Sequence, residues 1–422
     1  MAPFRSYYIA CVFFFLAANL SCTAIADTKQ FIEVHHWWFS GGEARALETI
    51  KKEMSHKGFT WKDSLIKGSD GLQQKRVLRA RINSKNPPDI ILTQYIPHFA
   101  ESGFLEPLDD IAKENNWRTL IPDPIQQRLK YKGHWLAVPI NIQRFNWVWA
   151  NKKIFDQLHL KPPQTYEELI EVSKKIKQAG YTPFAHGEQA WQDLIFFESI
   201  LLSVGGTALY NKALVEFDAN VLNGKKMETV FERVLQIRTF FDKDYIGRDW
   251  NLATSMIIHN KAAMQVMGDW VKGEFTLAHQ SPNKDFLCFA FPDTQDIFLF
   301  TSDFFSVIKT SYKHNKEAQY AFVNTIFDKN IQEKFNLAKG SLPARQDTNT
   351  ASFDDCSQQA KIDFNRALKK KKVIEHMDIR LTEAQRNIIY KPIVNAFSLP
   401  NITAKEAAQA FALAALTLKN MQ

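Results

Sequence analysis

Along most of this chain, short runs of aromatic and β-branched residues alternate with stretches of helical periodicity, and that alternation restricts the fold more than any other feature. Residues 31–38 are rich in strand formers, Ser40-Gly41-Gly42-Glu43 supplies a turn, and Leu47, Ile50 and Met54 then recur at helical spacing. The pattern predicts strand, tight turn, helix. A second unit follows, with Leu72, Val77, Leu78 and Ile82 at helical spacing, then Pro87-Pro88, an apolar strand over residues 89–92, and a helix over 95–101 stopped by Gly103. Strands separated by helices predict a parallel sheet with helices on its faces.

Residues 130–135 read as a hairpin, and residues 140–149 as an extended segment that crosses from one body to another. Pro162-Pro163-Gln164-Thr165 then opens a helix in which Thr165 and Glu168 form a capping box, with Gly180 closing it. Long helices are expected over 191–204, 226–243 and 252–260, and strands over 286–291 and 298–308. The C-terminal region is helical by pattern and ends in the alanine-rich stretch 404–421. With 422 residues, 45% of them hydrophobic, the chain exceeds what one core organises. No fixed-period repeat or low-complexity linker interrupts it, so two lobes sharing strand crossings fit better than separate beads.

Residues 1–6 carry one charge, Arg5, ahead of a nearly unbroken apolar run over 7–20. That run is too short for a bilayer span, which needs about 20 residues. Ala24-Ile25-Ala26 supplies the small-x-small pattern of a cleavage site, so a secretory leader over residues 1–26 and a mature chain from Asp27 are expected, with the protein in the periplasm. A lipid anchor at Cys22 would want a large aliphatic residue where Asn19 stands. Cys288 and Cys356 then remain as a pair; the compartment permits a bridge, and spacing alone leaves it open.

The formal net charge of +8 is spread along the chain, and the one dense cluster, residues 369–372, reads as a solvated helix face, so no nucleic-acid partner is expected. The chain has no phosphate-binding loop, dinucleotide fingerprint, nucleophile elbow or His-Glu-x-x-His. His35 and His36, adjacent on a strand, point to opposite faces and do not grip one metal. Neither metal nor cofactor is expected. One enzyme reading stays open, a secreted glycoside hydrolase, which needs two carboxyl groups about 5 to 9.5 Å apart. Glu43, Asp269 and Asp303 are its candidates.

Aromatic residues recur beside polar ones at Trp37-Trp38, Trp147, Trp149, Trp191 and Gly268-Asp269-Trp270. A flat indole covers the C–H face of a sugar, while carboxylates, amides and ammonium groups bond its hydroxyl edge. A half-buried core position is the plainer fate of any single tryptophan.

Five segments carry a closer resemblance: His36-Trp37-Trp38-Phe39-Ser40-Gly41-Gly42-Glu43, Arg144-Phe145-Asn146-Trp147-Val148-Trp149, Gly268-Asp269-Trp270-Val271-Lys272-Gly273-Glu274-Phe275, Asn336-Leu337-Ala338-Lys339-Gly340-Ser341-Leu342-Pro343-Ala344-Arg345, and a shorter match around His376. In this order they resemble the family 1 extracellular solute-binding proteins of ATP-binding-cassette sugar importers, in particular the glucose/mannose-binding branch. The resemblance implies no enzyme activity and an α/β, type II periplasmic-binding-protein fold with a ligand cleft between two lobes. It implies a monosaccharide ligand, membrane permease subunits as partners, and a monomer.

It places Trp37, Trp38 and Trp270 on the sugar-facing aromatics, Glu43 on a hydroxyl acceptor, and Asp303, Lys339 and His376 on polar contacts. After Pro87-Pro88-Asp89 the family's glutamine and basic residue are replaced here by Leu92 and Gln94, which puts an amide where a cation is usual. Ser40 and Glu43 also match a capping box, so Glu43 has two candidate roles. The lobes are expected over residues 27–144 plus 302–346 and 145–301 plus 347–422, with crossings near 143–146, 300–303 and 343–348.

Overall fold

The computed structural model describes residues 30–68, 72–309 and 316–421; the expected leader, Cys22 and the start of the mature chain lie outside them. Two sheets organise the molecule. The first has five strands in the order Thr60–Leu65, Phe31–His36, Ile90–Thr93, Phe304–Val307, Val138–Pro139. Its first three strands run parallel, with Val34 opposite Ile90, and Phe304–Val307 lies antiparallel to both its neighbours. The second sheet has the order Phe286–Ala290, Trp147–Asn151, Ala262–Val266, Thr182–Phe184, with Trp147–Asn151 antiparallel to both its neighbours. The wholly parallel sheet expected from the alternation is therefore corrected to a mixed one. The antiparallel strands are those that arrive from the other half of the chain.

Central strands are apolar on both faces because helices cover both. Ile90, Ile91 and Leu92 are fully buried, as are Val148 and Ala150. The edge strand Thr60–Leu65 carries Lys62 and Asp63 and is half exposed, as edges usually are, and its polar sequence gave no strand signal. Helix Gly41–His56 turns Ala46, Leu47, Ile50 and Met54 inward at helical spacing. Helix Ala190–Tyr210 breaks at Gly206, whose φ of 61° and ψ of −160° are not helical, just past the expected end at 204, and its apolar side chains fill the core of the second half, where residues 191–202 are buried. Among the described residues, 190–215 is the one helical stretch long and apolar enough to cross a membrane.

A third, four-stranded sheet joins the two halves: Leu342–Pro343, Asn141–Arg144, Phe298–Thr301, Val373–Glu375. The chain leaves the first sheet at Val138–Pro139, passes through Asn141–Arg144 and enters the second at Trp147–Asn151. It returns through Phe298–Thr301 to Phe304–Val307. The single strand expected over 298–308 is thus two strands with a corner at Ser302 and Asp303. The buried guanidinium of Arg144 locks the crossing from behind, 2.6 Å from Asp363 on helix Asp355–Lys369.

Cys288 and Cys356 are joined in a disulfide, their Cα atoms 6.0 Å apart, tying that helix to strand Phe286–Ala290. The C-terminal helices Glu383–Ser398 and Ala404–Lys419 pack back onto Ala190–Tyr210 and Lys225–Ile237. At Thr165 the expected box is half made: its hydroxyl accepts from Glu168 N at 3.2 Å, but the Glu168 carboxylate accepts from Gln164 N instead.

The two halves meet along a seam of glycines. Helix Val271–Leu277, from the second half, lies against helices Gly41–His56 and Lys329–Lys339 of the first. A Cβ on Gly42 would sit 2.8 Å from the carbonyl carbon of Gly273, and one on Gly340 2.6 Å from Asp269 O. Across the seam Gly42 N donates to Glu274 Oε1 at 2.9 Å, so a carboxylate from one half caps a helix of the other.

Candidate binding cleft

All eight residues singled out in the sequence line one cavity between the halves: Trp37, Trp38, Glu43, Gln94, Trp270, Asp303, Lys339 and His376. Every wall residue except Gln94 is less than one-tenth exposed.

Trp37 and Trp38 are placed by the end of strand Phe31–His36, just before Ser40 caps the next helix. Trp38 is wedged against Phe335 and, edge-on, Phe305, with ring centroids 5.3 and 5.7 Å away. Glu43 performs the capping role. Its Oε2 accepts from Phe39 N and Ser40 N, both at 3.2 Å, and its own amide donates to Ser40 Oγ. The other oxygen, Oε1, accepts from Lys339 Nζ at 2.7 Å. A lysine in this sequence position would ordinarily be solvated, yet Lys339 is buried, with its ammonium 5.2 Å from the Trp38 ring centre. It is the last residue of helix Lys329–Lys339, where the helix dipole favours a cation, and Gly340 ends that helix at φ 97°.

Asp303 occupies the corner between two strands. Gln94 Nε2 donates to its Oδ1 at 2.8 Å and Asn141 Nδ2 to its Oδ2 at 3.0 Å, while Asp303 N donates back to Asn141 Oδ1. Burial raises its carboxyl above the usual range, and the nearby Lys339 charge and the two amides oppose that rise. Gln94 therefore orients this carboxylate.

The opposite wall is aromatic. Trp270 precedes helix Val271–Leu277 and meets Phe145 edge-on at 5.1 Å, with Trp191 and Trp250 at 6.1 and 6.3 Å. His376 packs its ring edge-on against Phe145 at 4.2 Å and is held through Nδ1 by the Glu198 carboxylate, which also accepts from Met377 N at 2.8 Å. Nε2 is left without a partner among the described residues.

Gln143, Phe145, Trp191, Trp250 and Asp378 complete the lining. Trp191 was noted only as one aromatic beside polar neighbours. Asp378 belongs to the His376 flank, and Gln143 and Phe145 lie on the crossing. Trp250 gave no signal; the helix expected over 252–260 begins at it in the structure. Trp147 and Trp149 instead stack on each other inside the core, 5.8 Å apart. Asp269 is not in the wall; its Oδ2 accepts from Arg144 N. His35 and His36 are held separately, His35 by Ser64 and Gln74 O and His36 through Nε2 by Asp63, with His36 Nδ1 buried and without a partner among the described residues.

The pattern of the bacterial extracellular solute-binding proteins matches residues 43–333. A protein of Brucella melitensis biotype 1 named "Probable sugar-binding periplasmic protein" is 40% identical over 387 residues, 91% of each chain. One of the same name from Rhizobium meliloti is 41% identical over 346 residues, covering 82% of this chain and 83% of its own. Among solved structures, the solute receptor AcbH, described as preferring β-D-galactopyranose, superposes with a TM-score of 0.79 at 17% identity, over 93% of this chain and 99% of its own. Maltose-bound MalE3 of T. maritima gives 0.74 at 13%, over 92% and 99%. The fold is that of the two-lobed periplasmic binding proteins. With that fold and the match over residues 43–333, the chain belongs to the bacterial extracellular solute-binding protein family, and it is a binding protein rather than an enzyme.

Proposed function

We propose that this protein captures a monosaccharide of the glucose or mannose type in the cleft and delivers it to the permease of an ATP-binding-cassette importer. The observation that carries the reading is the convergence of Trp37 and Trp38 from one half and Trp270 from the other on a space edged by Glu43, Asp303, Lys339 and His376. Indole faces suit the C–H faces of a pyranose, and ionised acceptors beside an ammonium suit its hydroxyls. The names of the Brucella and Rhizobium relatives support a periplasmic sugar as ligand. The nearly complete burial of the walls favours one ring over a chain of them.

The lobes are taken as residues 27–144 plus 302–346 and 145–301 plus 347–422. Sugar shifts the population toward the closed arrangement, which the permease subunits recognise. The working form is a monomer, released into the periplasm after removal of residues 1–26.

A thermal-shift screen against D-glucose, D-mannose, D-galactose, D-xylose and maltose tests this, because a ligand of the folded state alone raises its melting temperature by mass action. A rise with a hexose and none with maltose is expected. A rise with maltose alone overturns the monosaccharide assignment, and no rise with any of them overturns the sugar reading.

A further inference from the structure

Asp378 lies two residues beyond His376, on the short turn Met377–Arg380, and lines the cavity. Its carboxylate is gripped on one side only. Arg386 Nε stands 2.9 Å from Oδ1, and the Tyr390 hydroxyl donates to the same oxygen; both come from helix Glu383–Ser398. Arg386 Nη2 also donates to the Asp378 backbone oxygen at 3.1 Å, which fixes the turn. Burial and the adjacent carboxylate hold the Tyr390 phenol well above its ordinary value, so it remains a donor. No described residue donates to Oδ2. A carboxylate is an acceptor only, so a group that satisfies this oxygen must bring a proton.

We propose that Asp378 is a specificity-determining residue, whose Oδ2 accepts a hydrogen bond from one hydroxyl of the bound sugar. The assignment rests on the sugar reading above. Arg386 balances the charge and Tyr390 fixes its direction, so the free oxygen is held in place before the ligand arrives. Such a site rejects an analogue that lacks the hydroxyl, because the buried acceptor is then left unpaired.

The test is calorimetric titration of the mature chain with D-glucose, D-mannose, D-galactose and D-xylose, followed by each monodeoxy analogue of the tightest binder. In the wild type one deoxy position should cost about tenfold or more in affinity. In Asp378→Asn the parent sugar should weaken by about tenfold, and the penalty at that one position should shrink to about twofold or less, with the other positions unchanged. Tyr390→Phe keeps Arg386 paired and removes only the hydroxyl that orients the carboxylate; it should reduce the same penalty part way. It serves if Asp378→Asn does not fold. An undiminished deoxy pattern in whichever variant folds overturns the role of Asp378 and leaves the sugar reading intact. A wild type that binds none of the four sugars overturns both.

Discussion

Glu43 divides its two carboxylate oxygens between folding and the cavity. Oε2 serves the capping box, which accepts either glutamate or glutamine, whereas Oε1 pairs with the buried ammonium of Lys339. Glu43→Gln should therefore keep the helix start, leave Lys339 short of a counter-charge, and cost up to about 3 kcal/mol of stability. Sugar affinity should fall by about tenfold in the same variant, since bonds to a charged acceptor outweigh neutral ones. Unchanged affinity by calorimetry would return Glu43 to capping alone. Asp269 behaves differently. Its Oδ1 is buried without a hydrogen-bond partner, and burial pushes its carboxyl up to about 8, opposed by the Arg144 amide and by Lys272 and Lys339. The folded state thus holds a proton that the unfolded chain releases near pH 4, so this contribution to stability is full in acid and is lost as pH rises toward 8. The melting temperature of the wild type should fall relative to Asp269→Asn across that interval. Parallel curves would show that Asp269 titrates normally.

At the scale of elements, the disulfide holds the end of one sheet to the helix that carries Asp363, closing 68 residues of sequence. Loop-closure entropy sets its contribution at about 4 kcal/mol, so Cys356→Ser should lower the melting temperature by about 5 °C. A scan of the oxidised and variant proteins decides it. The spacing of two cysteines said nothing of their pairing, because a bridge depends on where tertiary folding brings the chains. The same limit explains other differences from the sequence reading. Residues 60–65 carry too many charges to announce a strand and become one only by lying beside Phe31–His36. The apolar run over 298–308 hides its corner, since Ser302 and Asp303 bend only to join two sheets. Trp147 and Trp149 look like candidate walls in sequence, but two steps along a strand return to the same face, and this strand is covered on both. Helices such as Gly41–His56 were legible because capping and periodicity are local. The cavity residues that carried motifs were legible too, whereas Trp250 and Asp378 acquire meaning only from neighbours distant in the chain.

For the whole molecule, the glycine seam decides how near the halves come. Gly42 has ordinary helical geometry, so alanine there suits the helix itself and should leave thermal stability of the free protein close to wild type. Its methyl would nonetheless meet the Gly273 backbone. Gly42→Ala should hold the halves apart, seen as a larger radius of gyration with sugar present and about tenfold weaker binding. Equal radii would show that the seam yields. The enclosure of the cavity has a kinetic counterpart. With nearly every wall residue under one-tenth exposed, the walls are largely screened from solvent in this arrangement. If entry begins from separated halves, the observed binding rate should climb in proportion to sugar when sugar is scarce and level off at the speed of shutting when it is plentiful. Release keeps time with reopening. When sugar is plentiful, delivery from such a carrier would then be timed by the opening of the protein rather than by the diffusion of the sugar.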